Sequence, residues 1–560
     1  MCELCRLRGT AFSWGTGMQK ALVVGLSILC FKIALLNRGV DTIVWGGTVW
    51  PTVGTHVDSS PTSPVKLAFV GRDIEEKTLK VGLPFLFTNQ PPDPAKGGGF
   101  QLIQYGLGET LFKLGKDLRP EPWLSAGARQ LDEKIWQVTL RQGVKFHNGA
   151  PMNAAAVKAS LERAIALSPM AKARLDIVRI EVNDPSTLTM TTKNPSPILP
   201  GLLTDPTSVI VDAAAAEAMA DALTEKPVLT GPFKVEQFQQ DKELVAVRHT
   251  EYWGPSPSVN RVIFRYLPDN QSRVLALQSG DIDIAVYIAP ESVPTVKNAS
   301  QLAVVAAAPV ALDFLYFNHR REPWKDARVR QAIALAIDRE ALVRAVMQGE
   351  GIAATGPFPP VMLSCHQLRG HPFDPAQAKQ LLAQAGYQDN DGDGLVEKDG
   401  QTLTMTLLTY RQRPELPPMA EVIQAGLKAI GIKVDVRMVE QINAALQRAD
   451  WDGGMYFNNM VATGDPYWAL SEFFATGGSA NFGSYSSPRI DELTRQAGRA
   501  TDRQAREQLA CAASQAIVDE LPMVPLLYPN FNYGASKKVV GFDEPHPFFL
   551  YFMDSKIGKR

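Results

Sequence analysis

Catalytic signatures are missing from this chain of 560 residues. It holds no Gly-x-Ser-x-Gly elbow, no His-Glu-x-x-His zinc motif and no Gly-x-x-x-x-Gly-Lys phosphate cradle. Catalysis would have to be assembled from unmarked residues, and no enzymatic activity is expected. Charge of one sign is also lacking. The formal net charge is −1 with both signs scattered, so there is no basic face for a nucleic-acid backbone and no like-charge run for a membrane surface. Histidine is sparse, at seven, and no two have helical or hairpin metal-ligand spacing. His147, His366 and His371 are therefore expected at the surface or capping backbone groups, and no protein-bound metal or other cofactor is expected. If a metal is bound at all, its ligands should come mainly from a chelator.

Cysteine is scarce as well. Five cannot build a disulfide framework, and Cys2, Cys5 and Cys30 lie ahead of the expected mature body. Cys2 and Cys5 have metal-ligand spacing but no second ligand pair. Nothing in the sequence brings Cys365 near Cys511, so two separate buried thiols are expected there. Long hydrophobic runs are absent too. The most apolar stretch, Ala21 to Leu29 after Met18-Gln19-Lys20, has the length of a signal-peptide core and is too short for a membrane span. Residues 1–36 are read as this leader, which predicts export to the periplasm or cell envelope. Ser27-Ile28-Leu29-Cys30 resembles a lipoprotein box except that Leu29 stands where a small residue is required.

What is present is ordinary globular material: 45% apolar and 21% charged residues, at a length that calls for more than one core. Residues 37–77, rich in Thr, Gly, Pro and Ser, read as a linker. Beyond them strands and helices alternate. In Ile135 to Arg141 the residues Trp136, Val138 and Leu140 face one way and Gln137 and Thr139 the other, the mark of a half-buried strand. Asn153 can cap a helix carrying Val157, Leu161 and Ala164 on one face. Asp326 can cap another with Val329, Ile333 and Ile337 in line, and Asp338 restarts a helix through Val346. The alternation falls into two blocks and predicts an α/β protein of two lobes. No repeat of fixed period is found.

Several stretches together resemble one family. They are Tyr316-Phe317-Asn318 with Pro323-Trp324-Lys325-Asp326-Ala327-Arg328-Val329-Arg330-Gln331-Ala332-Ile333; Arg141-Gln142-Gly143-Val144-Lys145-Phe146-His147-Asn148-Gly149; Thr230-Gly231-Pro232-Phe233; Glu251-Tyr252-Trp253-Gly254; and Gly280-Asp281-Ile282-Asp283. Over roughly residues 78 to 550 the chain resembles the bacterial extracellular solute-binding proteins of family 5, the peptide and nickel type. The resemblance implies a type II periplasmic-binding fold with an additional subdomain in the first lobe. It also implies a ligand enclosed between lobes, docking on an ABC permease, and no chemistry on the ligand. The expected division is lobe I from residues 78–310 plus 526–560 and lobe II from 311–525, with hinge closure of a monomer around a small charged guest. Tyr105-Gly106-Leu107-Gly108, Arg413-Pro414-Glu415 and Thr463-Gly464-Asp465-Pro466 look more like the nickel-chelate and metallophore branch than the oligopeptide branch; a di- or oligopeptide is the alternative ligand.

A cleft must replace a ligand's lost water with placed donors and acceptors. Arg411 and Arg413 follow a strand, where loops of open α/β folds commonly carry ligand contacts, and a guanidinium can grip a carboxylate with two hydrogen bonds. Either can equally be a solvated surface arginine. Asp465, near Asn458, Asn459 and Trp468, stands where the resemblance places an acceptor for a ligand ammonium, or else it builds a turn before Pro466. Tyr105, Tyr410, Tyr456 and Trp468 can supply walls with a polar edge, or simply core. Asp389 to Gly394 begins like a calcium loop, but Gly400 stands where a bidentate Glu is required, so a polar turn is expected.

Overall fold

The computed structural model describes residues 42–45, 48–51, 77–87, 91–219, 226–553 and 555–560. The leader, residues 1–36, and most of the expected linker, 37–77, lie outside the described residues. Within that linker Thr42–Trp45 pairs antiparallel with Thr48–Pro51.

Residues Phe69–Arg560 form a separate compact unit. It is organised by three larger sheets. The first has seven strands in the order Phe233–Gln239, Glu243–Arg248, Arg261–Tyr266, Thr78–Leu83, Ile284–Ala285, Phe531–Ser536 and Leu302–Ala307. Thr78–Leu83 lies at its centre, parallel to both neighbours. Its Leu79, Val81 and Leu83 are buried on one face and Thr78 and Gly82 on the other, as a parallel strand covered on both faces requires.

Inserted in the same lobe is a four-stranded antiparallel sheet, in the order Ser125–Asp132, Ile135–Leu140, Thr187–Thr192, Ile177–Asp184. The alternation expected in Ile135–Leu140 is there: Trp136, Val138 and Leu140 are buried and Thr139 is exposed. Those side chains pack on Val157 and Leu161 of helix Ala154–Leu167, whose start is closed by Asn153 accepting from the Ala156 N–H. This is the additional subdomain, with a core of its own.

The second lobe is a six-stranded sheet in the order Gly351–Ala353, Met523–Pro529, Ala311–Phe317, Gly453–Asn459, Thr404–Thr409, Lys433–Met438. Helices Ala327–Ala336, Leu416–Ala429, Pro488–Arg499 and Arg503–Glu520 belong to the same lobe. Asp326 caps the first as expected, accepting from the Arg328 N–H. The helix that Asp338 restarts is not uniform: Arg339–Ala341 is α-helical, and Leu342–Val346 widens to a π-helix.

The chain passes between the two large sheets twice, after Ala307 and at Asn530. Strand Met523–Pro529, every residue of it buried, belongs wholly to the six-stranded sheet, so the return lies later than residue 525. Apolar packing runs continuously across these crossings.

One expectation is corrected. Cys365 and Cys511 are a disulfide, with Cα atoms 5.5 Å apart, joining segments 146 residues distant in sequence. The proximity is created by the packing of helix Arg503–Glu520 and has no local sequence signal.

Candidate ligand-binding site

Between the two large sheets the charged side chains gather around Arg413. Its guanidinium carbon lies 3.5 Å from the ring centre of Phe457, 5.8 Å from Tyr287 and 6.0 Å from Phe531. Phe457 is in the six-stranded sheet, Phe531 in the seven-stranded one, and Tyr287 follows Ala285 of the latter. One cation thus bridges both lobes through ring faces. It makes no side-chain hydrogen bond or ion pair among the described residues.

Two carboxyl groups share this region. Glu415 ends the loop before helix Leu416–Ala429, and its Oε2 accepts from the Tyr287 hydroxyl at 2.7 Å, a bond from lobe to lobe. Its Oε1 is buried without a hydrogen-bond partner among the described residues. Asp313, fully buried in strand Ala311–Phe317, has no hydrogen-bond partner for either carboxylate oxygen among the described residues. In register Asp313 lies opposite Phe457, and Ala311 opposite Asn459, so Asp313, Phe457 and Asn459 share one sheet face. The Asn459 Oδ1 is likewise buried and unpartnered. The Tyr410 hydroxyl closes the group by accepting from the Phe457 N–H at 3.2 Å.

The electrostatics follow from burial. Desolvation pushes the Asp313 carboxyl well above the usual range, the Glu415 charge adds to the rise, and Arg413 opposes it. Glu415 is raised by burial too, against the pull of Arg413 and the Tyr287 hydrogen bond.

The nine residues expected from the sequence divide sharply. Tyr410, Arg413 and Asn459 come together, whereas Arg411 is exposed and points to no partner among the described residues. Tyr456 and Asn458 lie opposite Phe314 and Leu312, on the other sheet face from Phe457. There the Tyr456 hydroxyl donates to Asn443 Oδ1 at 2.8 Å, and its ring meets Phe314, Tyr316 and Phe482. Trp468 packs edge-on against Phe473, 5.9 Å between centres. Tyr105 is fully buried in the first lobe, stacked on Phe264, with its hydroxyl donating to the Phe85 carbonyl. The Asp465 carboxylate is consumed internally: Oδ2 lies 2.8 Å from Arg506 Nη2, and Oδ1 accepts from the Tyr467 N–H to start helix Pro466–Ala469. The turn beside it touches the first lobe, because Gly464, at φ 67°, brings its backbone against the Leu118 carbonyl; a Cβ there would stand 2.1 Å from that oxygen.

Asp313, Glu415, Tyr287 and Phe531 were not anticipated. A signal for one existed: Ala311-Leu312-Asp313-Phe314-Leu315-Tyr316-Phe317 is an apolar strand interrupted by a single charge. Elsewhere His147 and His371 each bond a backbone carbonyl, of Gly231 and Val518, as structural residues do. The Asp389 loop brings carboxylate oxygens of Asp389, Asp391, Asp393 and Glu397 within 4.8 Å of one another. Three of these residues are exposed, and all four already accept backbone hydrogen bonds within the turn.

Two α/β lobes crossed twice by the chain, with ionisable groups converging between them, define a two-lobed periplasmic binding protein. The model of the bacterial extracellular solute-binding proteins, family 5 (Middle), matches residues 119–481, more than half of the chain. The chain belongs to this family. It is 29% identical over 476 residues to the glutathione-binding protein GsiB of Salmonella typhi, covering 83% of this chain and 92% of that protein. A nickel ABC transporter structure from Bacillus halodurans is 31% identical at a TM-score of 0.70, covering 86% of this chain and all of that one. NikA from Staphylococcus aureus, in complex with Ni(L-His)2, is 25% identical at a TM-score of 0.74 with the same coverage. The chain is thus the solute-binding component of an ABC importer, and its family and neighbours are binding proteins rather than enzymes.

Proposed function

We propose that this protein is exported, works as a monomer, and captures a small charged ligand between its lobes for delivery to permease subunits. The observation that carries the ligand class is Arg413, a guanidinium held by three aromatic rings and paired with no carboxylate among the described residues. Ring faces orient a guanidinium while leaving its N–H edge for a carboxylate. The ligand therefore bears a carboxylate. Two such classes have support: a nickel or other metal chelate of opine type, favoured by the nickel-transport neighbours, and a di- or oligopeptide, favoured by the glutathione-binding relatives. They differ in one group, because a chelating amine gives its lone pair to the metal whereas a peptide amine stays a free ammonium.

Export is supported by the Cys365–Cys511 bridge, which an oxidising compartment maintains. No described helix is long and apolar enough to cross a membrane. Native mass spectrometry of protein taken from its own envelope, with elemental analysis, tests the reading: a bound carboxylate-bearing molecule is expected. Small-angle scattering should show compaction when that molecule is added to the stripped protein; an unchanged radius with every extract fraction would refute hinge capture.

A further inference from the structure

Resting on the reading of the Arg413 region as the ligand site, we propose that Asp313 and Glu415 form a subsite for a free ammonium group, so that the ligand is a zwitterion.

Three carboxylate oxygens, Asp313 Oδ1 and Oδ2 and Glu415 Oε1, are buried with no donor among the described residues, and the nearby Asn459 Oδ1 is in the same condition. Every one of these is an acceptor. Native proteins pair nearly all buried polar atoms, and an isolated buried carboxylate is among the most expensive to leave bare. Four such atoms around one junction mark a place completed by something other than the chain.

Charge narrows the occupant. With both acids ionised the cluster holds two negative charges against the single positive charge of Arg413, and Arg413 lies beyond ion-pair distance of either. One further cation balances the set. A proton alone does not meet the geometry, because a neutral Asp313 would still leave an oxygen and a hydroxyl without partners. An ammonium carries three N–H donors on one centre, enough to serve both acids and the Asn459 carbonyl. The neighbouring guanidinium has its donors available for a carboxylate on the same molecule. A ligand presenting both groups satisfies the entire cluster.

Placement adds to this. Asp313 sits two residues into the strand that begins just after one interlobe crossing, and Glu415 is tied to the other lobe through Tyr287. A cation held by the pair engages the strand at the crossing and the interlobe hydrogen bond together, so its binding favours closure.

The test uses the full folded chain, stripped of bound ligand, and calorimetry with named probes. These are the dipeptide Ala-Phe and glutathione, each with its amine free and N-acetylated, and a nickel–L-histidine complex whose amines are bound to metal. A free-amine probe should bind, and its acetylated form should bind on the order of 30-fold more weakly or worse. Asp313→Asn and Glu415→Gln should lose the same factor for the free amine and no longer distinguish the two forms. Glu421→Gln, at an exposed carboxylate on the adjoining helix, should behave as wild type. Thermal melts establish that the variants fold, and the acetylation comparison on wild type stands even where a variant does not. Equal binding of free and acetylated probes overturns the ammonium subsite while leaving importer function intact. Binding of the nickel complex alone does the same and selects the chelate. Binding by none overturns the subsite, and the broader reading falls with it only if envelope-purified protein also carries no ligand.

Discussion

Two buried aspartates in the second lobe are treated in opposite ways. Asp465 has a cation at 2.8 Å and a helix N–H to accept, and both its oxygens are used. Asp313 is equally buried and has neither. Glu109, in the first lobe, falls between: it has no ion-pair partner among the described residues, but Tyr252 and Trp253 donate to its two oxygens at 2.7 and 3.1 Å. Burial alone therefore says nothing about role. A carboxylate whose hydrogen bonds are all met inside the protein maintains structure, whereas one left bare is held ready for a partner that arrives later.

The largest effect should come from breaking the satisfied pair. Arg506→Met leaves the Asp465 charge buried without compensation and should cost about 3–5 kcal/mol in urea unfolding. A loss below about 1 kcal/mol would erase the contrast with Asp313. For Glu109, burial pushes the carboxyl up to about 7 from 4.5. The native state then keeps a proton that the unfolded chain releases, so this contribution is complete below pH 4.5 and is lost as pH rises through about 7. The loss is on the order of 3 kcal/mol. Glu109→Gln should flatten that part of the melting temperature profile; an unchanged slope would mean another group titrates there. Asp313 reverses the sign. Asp313→Leu removes a bare buried carboxyl and should stabilise the ligand-free protein by about 1–3 kcal/mol while abolishing amine binding, checked by paired denaturation and calorimetry. Destabilisation would show that Asp313 is structural after all. Smallest of all, Arg411→Ala should shift stability by less than about 0.5 kcal/mol, since its side chain is exposed.

The fold was largely legible because period and capping are local. Trp136, Val138 and Leu140 announce their sheet face, and Asn153 and Asp326 announce their helices, all within a few residues of chain. The site was legible only in part. Arg413 and Tyr410 follow a strand whose loop position is a general rule of such sheets, and they do converge. Asp465 looked alike on paper and is consumed by Arg506, 41 residues away, a pairing that only tertiary packing reveals. Tyr105 likewise depends on Phe264 and Phe85. Tyr287 and Phe531 reach Arg413 from the other lobe, so no window of sequence contains the cage they complete. The bridge between Cys365 and Cys511 was hidden for the same reason.

That bridge bears on the proposed closure of the lobes. Both sulfurs belong to the half built on the six-stranded sheet, so the crosslink stiffens one jaw and spans no gap between jaws. A reductant should loosen this jaw internally, yet the proposed swing of one jaw against the other should keep its full range, because among the described residues no disulfide joins the two sheets.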